Sequence, residues 1–362
     1  MRRKILAAIA IVLLAGAVAF YWYTRPLPIL TVTTWPGDYG RAQAAALMRP
    51  YASAKRVDVH IAQWDGDLQD VRNAIGSHIY KGDVIDFELP GAIAACRQGL
   101  LERIDAATLP PGADDTPATK DFLPGAIGPC WIGSVIYSQV IIFDPRRFSG
   151  PAPATLADFF DLNRFPGRRV LRRASPKLNL EMALLADGVT PRDIYRTLET
   201  PAGLDRAIAK LDSIRNAIIW AGSAAEAVDL VRSGQAAFAT TLNQAVFDAG
   251  LHGFHPGVIW DCQLYEFDVF GVPKGDPKKD MAMDFIRFAT GSAPLAGVAD
   301  WVPLGPARRS SMLLVGSNPD LKIPMRDNLP TAHFDTAFAV DDGWWLTHEA
   351  GIMSRWRAWQ AH

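Results

Sequence analysis

Asp86 and Glu88 flank Phe87 near the end of an apolar run, and the alternation of a β-strand places both carboxylates on one face. Two like charges side by side need a cation or water against them. Trp35 and Tyr39 bracket the turn Pro36-Gly37-Asp38, which follows another β-branched run. Aromatic faces attract ammonium groups by about 0.5–2 kcal/mol per contact. Asp38 opens a helix, where it either adds charge to such a site or complements the helix dipole. Rings beside carboxylates suit a small organic cation. They also suit glycoside cleavage by two carboxylates ~5–9.5 Å apart, a separation that Asp86 and Glu88, like many surface pairs, can reach.

Other chemistry finds little support. The sequence has no GxSxG, no HExxH and no phosphate-binding glycine loop, so no catalytic residues are assigned. His60, His78, His252, His255, His333, His348 and His362 are scattered without thiol or carboxylate company at ligand spacing, so neither a metal nor another cofactor is expected. Three cysteines without a CxxC fit an oxidising compartment. Cys96 and Cys130 are a possible pair that would leave Cys262 single, although sequence does not supply the ~5.5 Å between α-carbons that a disulfide needs.

The chain has 362 residues, enough for a large core and more than one domain. With 37 Lys+Arg against 38 Asp+Glu there is no charge excess to drive nucleic-acid binding. Met1-Arg2-Arg3-Lys4 precedes a charge-free run from Ile5 to Tyr23, the order of an export signal. Ala15-Gly16-Ala17 and Ala17-Val18-Ala19 offer cleavage sites, yet the run approaches the ~20 residues of a membrane span. Either outcome puts the remainder on the outer side of the membrane, in the periplasm, free or tethered. Residues 1–28 are thus a leader and spacer.

Behind the leader, periodicity gives strands over Ile29–Trp35, Val57–Trp64 and Asp83–Leu89, separated by helical runs from Asp38 to Pro50 and through Leu68, Val71, Ile75 and Ile79. Strand and helix in alternation mark a parallel sheet covered on both faces. A strand over Val135–Asp144 and a helix over Thr155–Leu162 follow. Short strands over Arg168–Ala174, Ala217–Trp220 and Ala236–Leu242 form a second α/β unit. Its helices carry Leu204, Ala207, Ile208 and Leu211 on one stripe, or open with Ser223 and Glu226 as a capping box and stop at Gly234. Phe267–Pro273 reads as a strand, and Pro277 opens a helix that ends at Gly291. Trp356 and Trp359, at i, i+3, are expected to pack a final helix onto the first lobe, and the Trp344-Trp345 pair reads as ordinary packing.

Several stretches in order resemble the periplasmic solute-binding proteins of ABC transporters, of the spermidine/putrescine-binding type. They are Thr34-Trp35-Pro36-Gly37-Asp38-Tyr39-Gly40, Gly99-Leu100-Leu101-Glu102-Arg103-Ile104-Asp105, Asp158-Phe159-Phe160-Asp161 with Phe165-Pro166-Gly167-Arg168, Asn179-Leu180-Glu181-Met182-Ala183-Leu184-Leu185-Ala186-Asp187-Gly188, Ile259-Trp260-Asp261 and Val272-Pro273-Lys274-Gly275. The resemblance implies an α/β fold of the two-lobed class II kind, with mixed sheets flanked by helices and a hinge between lobes. Lobe one would comprise residues 29–137 and 268–362, and lobe two residues 138–267. It also implies a monomeric, non-catalytic receptor that closes on a small cationic solute, putrescine or spermidine, and delivers it to membrane permease subunits.

By the same resemblance Trp35, Tyr39, Trp220, Asn243, Trp260, Tyr265 and Asp268 join Asp38, Asp86 and Glu88 as ligand-binding candidates, and Asp268 looks like the carboxylate that polyamine binders place on an amine. The segment Arg172 to Glu181 departs from the type: where those proteins supply further acids, this chain has Arg172, Arg173 and Lys177, and only Glu181 is acidic. A cation from this segment in the cleft would suit a carboxylated solute, such as an amino acid, instead.

Overall fold

The computed structural model describes residues 25–361 together with Leu13, Leu14 and Gly16. Apart from those three, the basic and apolar leader lies outside the described residues. Among the described residues no helix is long and apolar enough to cross a membrane.

The β-branched run Ile29–Thr34 forms β1, which buries Leu30 and Val32 completely. It lies between β2 (Asp58–Gln63) and β3 (Val84–Glu88), parallel to both. The expected strand–helix–strand order is therefore present, and it builds one side of the first lobe. The other strands are β4 (Ile132–Phe143), β5 (Arg169–Arg172), β6 (Ile218–Ala221), β7 (Phe238–Leu242), β8 (Gly257–Gly271), β9 (Gly305–Pro306) and β10 (Phe338–Ala339). Their order across the sheet is β2-β1-β3-β8-β4-β7-β5-β6, with β9 beside β4 and β10 beside β8.

Two strands are long, and they connect the lobes. β4 has 12 residues and β8 has 15, and they run antiparallel. Ile132, Val135 and Ile136 of β4, with Phe267, Val269 and Phe270 of β8, belong to the first core beside Leu30, Phe87 and Phe285. Farther along, Ile141 and Phe143 of β4, with Ile259 and Leu264 of β8, belong to the second core beside Phe159, Leu171 and Phe238. Between the cores the ladder breaks: Gln139 pairs with Leu264 but Ile141 with Ile259, so residues 260–263 bulge out and Cys262 takes a left-handed φ of 54°. An extra loop of backbone in an antiparallel ladder bends the strand that carries it.

The chain's end departs from expectation. The helix Asp342–Gln360 packs Trp344, Trp345, Trp356 and Trp359 into the second core, while its first turn also meets the lobe-one helix Leu89–Arg97, where Arg97 Nη2 donates to Gly343 O at 3.3 Å. Helical spacing defines an apolar face but not the surface it meets. Here β10 pairs with β8 at Leu264 and Tyr265, and the Asp341 side chain then accepts from Trp344 N at 2.9 Å, which starts the helix beside lobe two. Cys96 and Cys130 form a disulfide with α-carbons 5.8 Å apart, and Cys262 is free.

Candidate functional site

The site grows from one face of the sheet where the lobes meet. In β3, Asp86 and Glu88 share a face; in β8, Glu266 and Asp268 share one. The antiparallel pairing sets Glu88 opposite Asp268 and, on the other side of β8, Tyr137 of β4 opposite Glu266. Directly paired residues lie on the same side of a sheet. Four acids therefore gather on one surface around Tyr137.

Two of these acids are deep. Asp86 is fully buried and accepts from Gln43 Nε2 at 2.8 Å and from Thr34 Oγ1 at 3.4 Å, while its Oδ1 has no partner. Burial pushes its carboxyl up to about 7, against the downward pull of its hydrogen bonds, that from Gln43 foremost. Asp268 is also buried with an unpartnered Oδ1, and burial followed by repulsion from Asp86, Glu88 and Glu266 drives it well above the ordinary carboxylate range. Beside them the Tyr39 hydroxyl donates to Ser134 Oγ at 3.4 Å, and burial, then Asp86 and Asp268, raise its pKa.

Lobe two supplies the opposite wall. β5 ends at Arg172, and the turn that follows leads into the helix Asn179–Ala186. Asn179 Nδ2 donates to Arg172 O at 3.1 Å and Ser175 O at 3.0 Å, which holds the turn in place. From it Lys177 reaches out and binds Glu266 and Asp342 together. Burial alone would lower the Lys177 ammonium, but the two carboxylates outweigh it and raise it. The walls enclose a cavity of about 230 Å³ lined by Glu88, Tyr137, Arg172, Ser175, Lys177 and Glu266, among others. Glu88 and Arg172 carry no side-chain hydrogen bond or ion pair among the described residues. Burial, then Glu266, raises the Glu88 carboxyl, and Lys177 and Arg172 pull it back down.

Of the residues expected at a site, the structure brings Tyr39, Asp86, Glu88 and Asp268 together. Trp35 stands nearby: its ring lies 5.9 Å from Trp64, whose Nε1 donates to Asp86 O at 3.1 Å. The remaining five are elsewhere. Asp38 is exposed and ion-paired to Arg41. Trp220 meets Trp356 and Trp359 edge-to-face, each at 5.7 Å. Asn243 accepts from Ser138 N at 2.9 Å and donates to Pro303 O, which ties lobe two to the connecting strand and to lobe one. Trp260 stacks on His333 at 4.3 Å in the bulge, and Tyr265 is buried against Phe267 and Phe334. Glu181, the only acid of its segment, accepts from Trp345 Nε1, Tyr195 and Leu178 N and belongs to the packing of lobe two.

Glu266 and Tyr137 were not among the sequence candidates. The alternation that pairs Asp86 with Glu88 also pairs Glu266 with Asp268, so Glu266 was within reach of the same rule. Tyr137 has no comparable signal, because a half-buried tyrosine in an apolar strand reads as core.

The bacterial extracellular solute-binding protein family matches residues 46–322. The gamma-aminobutyric acid-binding protein of Pseudomonas aeruginosa is 30% identical over 334 residues, 92% of this chain and 91% of that protein. Among solved structures, the Atu4243-GABA receptor is 30% identical, with a TM-score of 0.73 over 91% of this chain and 97% of its own. The periplasmic binding protein AttC of Agrobacterium tumefaciens C58, in an open unliganded conformation, shares the fold at a TM-score of 0.77 and 20% identity, over 92% of this chain and 99% of its own. A match across most of the sequence, two lobes joined by shared strands and a charged cavity between them lead to one conclusion: the chain belongs to the bacterial extracellular solute-binding proteins, as the small-molecule receptor of an ABC transporter and not an enzyme.

Proposed function

We propose that this receptor captures a small zwitterion, one ammonium and one carboxylate joined by a short alkyl chain, of which gamma-aminobutyric acid is the type. The observation that carries the reading is the pair Glu88 and Arg172, facing one cavity from opposite walls with no ion pair of their own. An ammonium against Glu88, with Asp268 behind it, and a carboxylate against the planar fork of Arg172 would complete both. Tyr137 also lines the cavity, and an aromatic ring there suits the methylenes. Two relatives that are 30% identical carry gamma-aminobutyric acid in their names, which favours the same class. Closure would bend β4 and β8 at their break and bring Arg172 toward Glu88.

Putrescine or spermidine is the second reading, favoured by the four acids on the sheet face. Arg172 and Lys177 argue against it, because a polyamine brings no negative group to meet them. Isothermal titration with gamma-aminobutyric acid, butyrate, butylamine, putrescine and spermidine separates the two. The expected result is binding of gamma-aminobutyric acid near micromolar, about 8 kcal/mol, and weak or no heat from the compounds that lack either charge. Heat with the polyamines and none with the zwitterion would overturn it.

A further inference from the structure

Lys177 occupies an unusual position for a side chain in a ligand cavity. Its ammonium group already contacts two carboxylates, Glu266 from the connecting strand and Asp342 from the start of the last helix. All three are poorly accessible, with side-chain exposures of 16% for Lys177, 9% for Glu266 and 0% for Asp342. Chemically, Lys177 delivers a primary ammonium on a four-carbon stem to an acidic wall, which is what one end of a diamine would deliver. With Lys177 in place, the charges that line the cavity cancel, Glu88 and Glu266 against Arg172 and Lys177, while Asp342 stays behind Lys177, outside the lining. A neutral zwitterion meets a neutral site, whereas a dication meets a site whose second acidic position is filled and whose remaining cation repels it.

We propose that Lys177 is the specificity-determining residue of this receptor, a built-in occupant of the second amine position that lets the cavity accept one ammonium group and reject two. This rests on the zwitterion reading of the site. Selectivity then comes from an element that penalises the wrong ligand as much as from contacts that favour the right one. Without Lys177, Glu266 faces the cavity unpaired beside Glu88, and two carboxylates await two amines.

The test is titration of the full receptor with gamma-aminobutyric acid and putrescine, in the wild type, in Lys177→Met, and in Lys177→Gln combined with Asp342→Asn, which removes the second unpaired acid and protects folding. The expected result is that the ratio of putrescine to gamma-aminobutyric acid affinity rises roughly tenfold or more in both variants. A purely structural lysine would lower both affinities together and leave the ratio alone. A wild type that binds gamma-aminobutyric acid, with variants of unchanged ratio, overturns the role of Lys177 while the ligand reading stands. Failure of the wild type to bind the zwitterion overturns the ligand reading instead. Unfolding of both variants would make the lysine a structural ion-pair partner and overturn the assignment too.

Discussion

Lobe one contains two kinds of buried acid. Asp121 is 1% exposed and every direction around it is answered: Arg308 Nε donates to Oδ2 at 2.7 Å, Ser310 N to Oδ1 at 2.8 Å, and Ser310 Oγ to Oδ2 at 2.7 Å. Arg308, itself wholly buried, spends its other donors on Thr290 O at 3.0 Å and Pro110 O at 2.9 Å. Asp86 and Asp268 are buried too, yet each leaves its Oδ1 without a partner, and among the described residues no Arg or Lys is paired with either. A buried charge is tolerable when its desolvation is offset by a partner and by hydrogen bonds. The first acid is finished by the fold, while the other two are left to be finished by something else. Incomplete satisfaction next to a cavity marks the working surface more reliably than acidity does.

Mutation can break this contrast. Asp121→Asn should be the most damaging change, because it leaves Arg308 buried and uncompensated: a loss of about 3–5 kcal/mol, read as a fall in the denaturant midpoint. Affinity per folded molecule should be unchanged. If Asp268→Asn instead cost as much stability as this, the two acids would be of one kind.

For Asp268→Asn the expected effects are exchanged. Stability should hold within about 1 kcal/mol, because an amide replaces a carboxyl that burial and its acidic neighbours already hold toward its neutral form, while affinity should fall by about 2 kcal/mol, or ~30-fold, because a ligand ammonium loses the carboxylate behind Glu88.

Acidity sharpens the distinction further. Asp86 is displaced upward, to about 7, from an ordinary value near 4, so its protonated form is favoured in the folded state. Its contribution to stability is complete below about pH 4 and is lost as pH rises through about 7. Thermal unfolding from pH 4 to 8 should therefore show a downward component in melting temperature, and Asp86→Asn should flatten it. A profile identical in the variant would mean that Asp86 is paired in solution. The smallest effect is expected at the surface: Asp38→Ala breaks an exposed pair with Arg41 and should change neither affinity nor melting temperature measurably.

Much of the scaffold can be read in the sequence. Ile29–Thr34, Asp58–Gln63 and Val84–Glu88 announce themselves by β-branched residues and alternation, because local packing dictates local pattern. β8 is less legible. Its last third, Phe267 onward, is apolar apart from Asp268, but Gly257–Glu266 mixes polar and aromatic residues and carries a bulge, so periodicity fails where the strand leaves one core for the other. The site divides the same way. Asp86 and Glu88 follow from a rule within one strand, while the contact of Lys177 with Glu266 and Asp342 joins three segments that only tertiary structure brings together. Trp220 illustrates the converse. At the end of β6 its position suggests a ligand, yet the tryptophans of the last helix reach it first.

That last helix has a practical consequence. The described chain enters through β1 in one lobe and finishes, at Gln360, against the other. Two dyes attached near its opposite ends would ride on separate bodies, so energy transfer between them could follow opening and shutting in real time without altering any residue of the cavity.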